Sequence, residues 1–288
     1  MGRAKILAGV IACLLAGGCG GRGTPRQIVV GSKNFTEQLI LGEIAAQQLE
    51  RRLHTEVDRK LNLGGTLLAH ESLVNGQIDL YPEYTGTALT AVLKAPVSRD
   101  AAAVLNTVRS EYRSRWKLEW MAPLGFNNTF AMVVNGHDYQ TLSQAAARTG
   151  GWKLGVGYEF LTRPDGLPGL LDTYHLRLAG TPRSMDLGLL YQALRQKQAD
   201  MVAGNATDGP IVAMGLTVLQ DDRSYFPPYE AALLVRGAAL QAYPGMRAAL
   251  DELSGKISTD AMRKMNYEVA GQHRPMREVA KEFLDGLR

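Results

Sequence analysis

Apolar residues along this chain fall into two alternating rhythms. Positions 27–31 (QIVVG) form a short continuous apolar run, as in a strand buried on both faces. Leu39, Ile40, Ile44, Ala45, Leu49 and Leu53 then recur at helical spacing. Asn34 or Thr36 can cap that helix, and Glu37 is well placed in its first turn. A second strand with polar alternation is expected over 54–63. Gly64-Gly65-Thr66 opens a second helix over 67–75, Gly76 stops it, and a third strand follows over 78–81. The order βαβαβ predicts a parallel sheet with crossover helices. Pro82 is expected to break the third strand, and Thr85 or Thr87 to cap the helix after it.

A helix over 101–115 and a strand-like run over 116–121 complete this half. Asn127-Asn128-Thr129 makes a turn into an apolar run over 130–134, and the alternation resumes. Helices are expected over 141–148, 167–174 and 187–197, and strands over 153–156, 201–204 and 217–219. A loop ending in Pro227-Pro228-Tyr229 leads to a strand over 231–235 that returns to the first half. Helices over 246–253, 259–269 and 276–287 follow. The chain carries no sequence repeat. The pattern predicts an α/β protein with two lobes, each a mixed sheet flanked by helices, hinged by two crossings. Lobe 1 is 27–128 with 230–288, and lobe 2 is 129–229.

The first residues change the picture. Arg3 and Lys5 precede an apolar run over 6–16, too short to span a bilayer, and small residues then lead to Cys19. Residues 1–18 read as a signal peptide. Cys19 reads as a lipidated residue, and 19–26 as a tether to the membrane. The expected location is extracytoplasmic, anchored by lipid. Both cysteines lie in this leader, so the body has neither a disulfide nor a thiolate nucleophile. Losing Arg3 and Lys5 would take the formal charge from +4 to +2, too weak to argue for nucleic acid.

Enzyme signatures are missing. There is no G-x-S-x-G and no P-loop. His70-Glu71 begins like a zinc-protease helix, but Val74 stands where the second histidine belongs. No catalytic residues, metal or cofactor are expected, and Asp221-Asp222 read as surface-loop carboxylates. Polar and aromatic groups do gather at predicted strand ends: Lys33, Tyr84, Thr87, Arg163 and Tyr229. The stretch DLYPEYTGTAL (79–89) reads either as an ordinary turn with partly buried tyrosines or as one corner of a cleft. Such a cleft would take an anion together with something flat or cationic.

Six motifs occur in order: VGSKNFTEQ (30–38), DLYPEYTGTAL (79–89), FNNTFAMVV (126–134), YEFLTRPDG (158–166), ATDGPI (206–211) and LQDDRSYFPPYEAALLVR (219–236). Together they resemble the osmoprotectant-type substrate-binding proteins of ABC importers, which bind glycine betaine, carnitine and choline. The resemblance covers essentially the whole chain after the leader. It implies a type II periplasmic-binding-protein clamp that closes on a small zwitterion and delivers it to a membrane permease, working as a monomer. It also implies that Lys33, Thr87 and Arg163 hold a carboxylate, with Tyr84 and Tyr229 as walls of a quaternary-ammonium cage. Two positions depart from the family pattern. Phe130 replaces a cage tyrosine, and Asn205 stands where another is usual. The ligand is then a betaine-like compound or a different polar metabolite. A sensory or scaffold lipoprotein using the same clamp is the alternative role.

Overall fold

The computed structural model describes residues 27–287. The expected signal peptide, the tether and Cys19 lie outside the described residues.

The first sheet contains β1 (Ile28–Gly31), β2 (Val57–Lys60), β3 (Leu80–Tyr84) and β4 (Leu118–Trp120). Helices α1 (Thr36–Leu53), α2 (Thr66–Val74), α3 (Thr85–Thr87) and α4 (Ala101–Trp116) connect them, α3 running on into a π-helical turn, Ala88–Val92. The second sheet contains β5 (Phe130–Val134), β6 (Leu154–Val156), β7 (Arg183–Ser184), β8 (Met201–Asn205) and β9 (Thr217–Val218). Its helices are α5 (Leu142–Ala146), α6 (Tyr158–Thr162), α7 (Leu167–Tyr174), α8 (Leu190–Arg195) and α9 (Gly209–Ala213). The chain then returns as β10 (Ala231–Arg236) and ends in α10 (Gly237–Ala242), α11 (Met246–Asp251), α12 (Thr259–Ala270) and α13 (Met276–Asp285).

The strand orders are β2-β1-β3-β10-β4 and β7-β6-β8-β5-β9. These are the same topology twice: three parallel strands, then an antiparallel one, then an edge. In each sheet the antiparallel strand is the first to follow a crossing between the lobes, β5 after the first and β10 after the second. Two mixed sheets flanked by helices are therefore present, as the pattern predicts. The carboxyl ends of the parallel strands β1, β3, β6 and β8 lead into the loops that meet between the lobes, the position where open α/β sheets hold ligands.

Pro82 does not end β3. The strand continues through it to Tyr84, with Pro82 opposite Leu233 of β10. β1 pairs with β3 only at Val30 and Leu80, so past that point one side of β3 has no strand partner. A residue without an N–H is tolerated there. The extra length carries Glu83 to the Lys33 ammonium and Tyr84 to the wall of the cleft. None of the expected caps forms either. Phe35 precedes α1 and Tyr84 precedes α3, neither with a side-chain cap. The Thr85 hydroxyl is turned to the second crossing, where it accepts the Glu230 N–H at 3.2 Å.

Helix α1 is buried along most of its length between the first sheet and the C-terminal helices. Gln47 and Gln48 donate to main-chain carbonyls of Arg277 and Ala249, fastening the tail to this lobe. Helix α12 also packs on α9 of the other lobe, where a Cβ on Gly209 would stand 2.6 Å from the Asn266 backbone. At Gly86 the approach is as close: a Cβ would stand 2.5 Å from the Pro228 carbonyl oxygen and 2.7 Å from the Tyr229 ring. A carbonyl fixed in the crossing cannot yield easily. Gly86→Ala is expected to destabilise the fold by about 1–3 kcal/mol, as overpacking does. Thermal denaturation measures this, and an unchanged melting temperature would count against the close contact.

Candidate functional site

A cavity of about 270 Å³ lies between the lobes. Lys33, Tyr84 and Thr87 reach it from the first lobe, Phe130, Arg163 and Asn205 from the second, and Tyr229 from the second crossing. The structure thus brings all seven sequence-predicted ligand residues around one space. Phe130 and Asn205 are register partners in β5 and β8, so their side chains share one face of the sheet.

Both cations of the cavity arrive already paired. The Lys33 ammonium donates to Glu83 at 2.6 Å, with both side chains buried. It lies 4.7 Å from the centre of the Tyr84 ring and 5.9 Å from that of Phe35. Arg163 forms a two-pronged bond to Asp165, at 2.8 Å from Nε and 2.5 Å from Nη2. Its Nη1 donates to the Thr87 hydroxyl at 3.3 Å across the lobes. The guanidinium lies 5.0 Å from the Phe130 ring centre and 5.8 Å from that of Tyr229. Asp165 also accepts from Tyr229 at 2.6 Å and from Thr90 at 2.7 Å. Burial works against its charge, but Arg163 and these hydroxyls outweigh it and hold the carboxyl below its ordinary value. Burial also drives the Tyr84 and Tyr229 phenols far above theirs, so both remain neutral donors.

Sequence reasoning placed Glu37 only as a first-turn acid. It is instead the junction beneath the cavity. Its carboxylate accepts from Tyr84 at 2.6 Å, from Asn128 of the first crossing at 2.7 Å and from Asn266 of α12 at 2.9 Å. The Thr207 hydroxyl, from the second lobe, donates to it as well. Burial pushes Glu37 up to about 7, against the lowering effect of Thr207, Tyr84 and Asn266, and Asp208 adds repulsion in the same direction as burial. Glu83 and Asp165 also went unread. The only sequence signal for any of these acids is that each sits inside a motif stretch.

The loop that carries Tyr229 is held by Asp221. It accepts the N–H groups of Tyr225 and Phe226 at 2.9 and 2.8 Å, and the Tyr174 hydroxyl. His70 packs against Tyr112 and Trp116, and burial brings it down to about 4. Among the described residues no grouping of His, Cys, Asp or Glu could hold a metal ion, and no helix is long and apolar enough to cross a membrane.

Residues 26–286 match a family described as the substrate binding domain of ABC-type glycine betaine transport systems. An ergothioneine transport permease/ergothioneine binding protein of Helicobacter pylori (strain G27) is 32% identical over 268 residues; the match takes in 91% of this chain and 48% of that relative's length. A glycine-betaine-binding protein of Pseudomonas aeruginosa is 33% identical over 270 residues, with 88% of this chain and 86% of the relative covered. A crystal structure described as a glycine betaine/carnitine/choline ABC transporter superposes with a TM-score of 0.76 at 30% identity, covering 90% of this chain and 98% of that one.

The Glu37 environment has a pH signature. A carboxyl held at about 7 in the fold, against an ordinary 4.5, takes up a proton on folding. Its stabilising contribution is complete below about pH 4.5 and is lost as the pH rises to about 7. A shift of this size corresponds to roughly 3 kcal/mol. Denaturant unfolding of wild type and Glu37→Gln across pH 4.5–7.5 should show that loss in wild type and a flatter profile in the variant. Parallel profiles would contradict the assignment.

Proposed function

The chain belongs to the family of substrate-binding domains of ABC-type glycine betaine transport systems, and on that premise we propose that it captures a betaine-like solute between its lobes. It serves as the extracytoplasmic binding component of an ABC importer and delivers the solute to a membrane permease. It acts as a monomer held at the membrane through Cys19, and it catalyses nothing.

The observation that carries the choice of solute is the charge state of the cavity. Lys33 is matched by Glu83 and Arg163 by Asp165, all four buried or nearly so. Glu159 and Asp186 add carboxylates to the lining. A net anion would enter without an unmatched positive charge to meet it, and burying an uncompensated charge costs several kcal/mol. A zwitterion brings its own counter-charge. Its carboxylate can share the outer donors of Lys33, Arg163 and Thr87. Its trimethylammonium, which has no N–H to donate, is best served by aromatic faces. Phe130, Tyr84 and Tyr229 supply these. Asn205 supplies an amide where a further ring would complete the cage, which favours a solute with a second polar group beside the ammonium. The names of the relatives supply concrete candidates: glycine betaine, carnitine, choline and ergothioneine.

A thermal-shift screen with these four compounds tests the reading. A solute present at about 100 times its Kd stabilises by about 2.7 kcal/mol, an upshift of a few degrees for a chain of this size. No upshift with any of them at millimolar concentration would refute the quaternary-amine reading. Arg163→Ala should weaken carnitine by roughly 10- to 150-fold, the worth of charge-assisted hydrogen bonds, and choline, which has no carboxylate, much less. Equal losses measured by calorimetry would show that the arginine does not read a carboxylate. Asn205→Tyr should strengthen choline binding by about 2- to 30-fold through the added ring face. Unchanged or weaker affinity would place the ammonium elsewhere.

A further inference from the structure

Glu159 stands in the first turn of α6, in the second lobe, with its side chain about half exposed (48%). It reaches across the mouth of the cavity to the first lobe. One carboxylate oxygen accepts the Thr66 N–H at 3.0 Å and the other accepts the Thr66 hydroxyl at 3.3 Å. Thr66 is the first residue of α2. The residue before it, Gly65, offers no side-chain cap, so the start of that helix has a free donor that its own lobe leaves unmatched. A carboxylate from the opposite lobe fills the role that Asp or Ser fills in ordinary caps, and its charge faces the positive end of the helix.

Two neighbours give this contact a function. Glu159 lies 3.7 Å from Nη1 of Arg163, the atom that also bonds Thr87. Gly65 is shaped to admit it. A Cβ there would stand 2.9 Å from the Glu159 carboxylate oxygen, although φ −78° and ψ −176° at Gly65 suit any residue. The glycine therefore serves close approach rather than backbone strain.

We propose that Glu159 is a closure residue, which latches the second lobe onto the first by capping α2 in trans and so slows the escape of the bound solute. The latch rests on the reading of the cavity as the solute site. It acts on the lobes whether or not solute is bound, and it sits next to the arginine that would hold the solute's carboxylate.

The test uses the full chain with Glu159→Ala, Glu159→Gln, Gly65→Ala and the double variant Gly65→Ala/Glu159→Ala. Dissociation rates are read by stopped flow with whichever of glycine betaine, carnitine, choline or ergothioneine binds most tightly. Lobe separation without solute is read by small-angle X-ray scattering. Glu159→Ala should speed dissociation by about 2- to 30-fold, the worth of a helix cap, with the association rate little changed. Gly65→Ala should speed it by less, because the carboxylate tip it meets can shift aside. Glu159→Gln, which keeps an acceptor but not the charge, should fall between. The double variant should be no faster than Glu159→Ala alone, because the added methyl then has nothing to displace. Solute-free Glu159→Ala should scatter as a more open particle. Unchanged dissociation in Glu159→Ala, or additive effects in the double variant, would overturn the latch. If none of the four solutes binds but the solute-free variant opens, the latch stands and the choice of solute fails. If solutes bind and neither rate nor scattering responds, the latch fails and the binding site stands.

Discussion

Two buried cations share one small space between the lobes, and neither can stay there without its own carboxylate. Lys33 has Glu83 and Arg163 has Asp165, at 2.6 and 2.5 Å. Removing either acid would leave a desolvated charge, a defect worth about 3–5 kcal/mol. This requirement shapes the surroundings. β3 runs past Pro82 so that Glu83 can face Lys33. The loop after α6 turns Asp165 back onto Arg163, and Tyr229 of the second crossing and Thr90 of the first lobe fasten Asp165. The aromatic rings lie where they serve the same cations, Tyr84 beside Lys33, and Phe130 and Tyr229 beside Arg163. The cations of the cavity are therefore arranged as neutral pairs among aromatic rings, an environment suited to a solute that carries both charges.

Beneath the cavity the lobes are joined by polar contacts set beside an apolar cluster that continues from one lobe into the other. Glu37 gathers donors from the first lobe, the first crossing, the second lobe and the C-terminal helices in one carboxylate. The hydrogen-bonded part of the junction can be shared and released with little change in buried apolar area. At the far side of the cavity Glu159 spans the cleft in the same chemical idiom. The path from sequence to function runs through these contacts. The repeated topology delivers loop ends to a common cleft, and acids within those loops set both the charge of the cleft and the ties across it.

Much of this was legible in the sequence. The hydrophobic rhythm predicted the main strands, the longer helices and the return of β10 to the first sheet, because each is long enough to show a period. The helices α6, α9 and α10 are five or six residues long and leave no period to read. β7 is two residues long. Its pairing with β6, like the twofold repetition of the topology, depends on partners distant in sequence. Pro82 misled because strand breaking depends on whether a neighbour needs the missing N–H, and that is a tertiary fact. Among the site residues, the cations and rings were readable because their types announce a chemistry. The acids Glu37, Glu83, Glu159 and Asp165 were not. A carboxylate in a loop looks solvated until the fold shows which donor it faces.

The charge balance of the cavity is tested most directly by mass spectrometry of the small molecule released when the purified protein, loaded in its native host, is denatured. The account predicts a compound with a quaternary ammonium and a net charge of zero or one positive. A phosphate, a dicarboxylate or any other net anion bound in stoichiometric amount would contradict it.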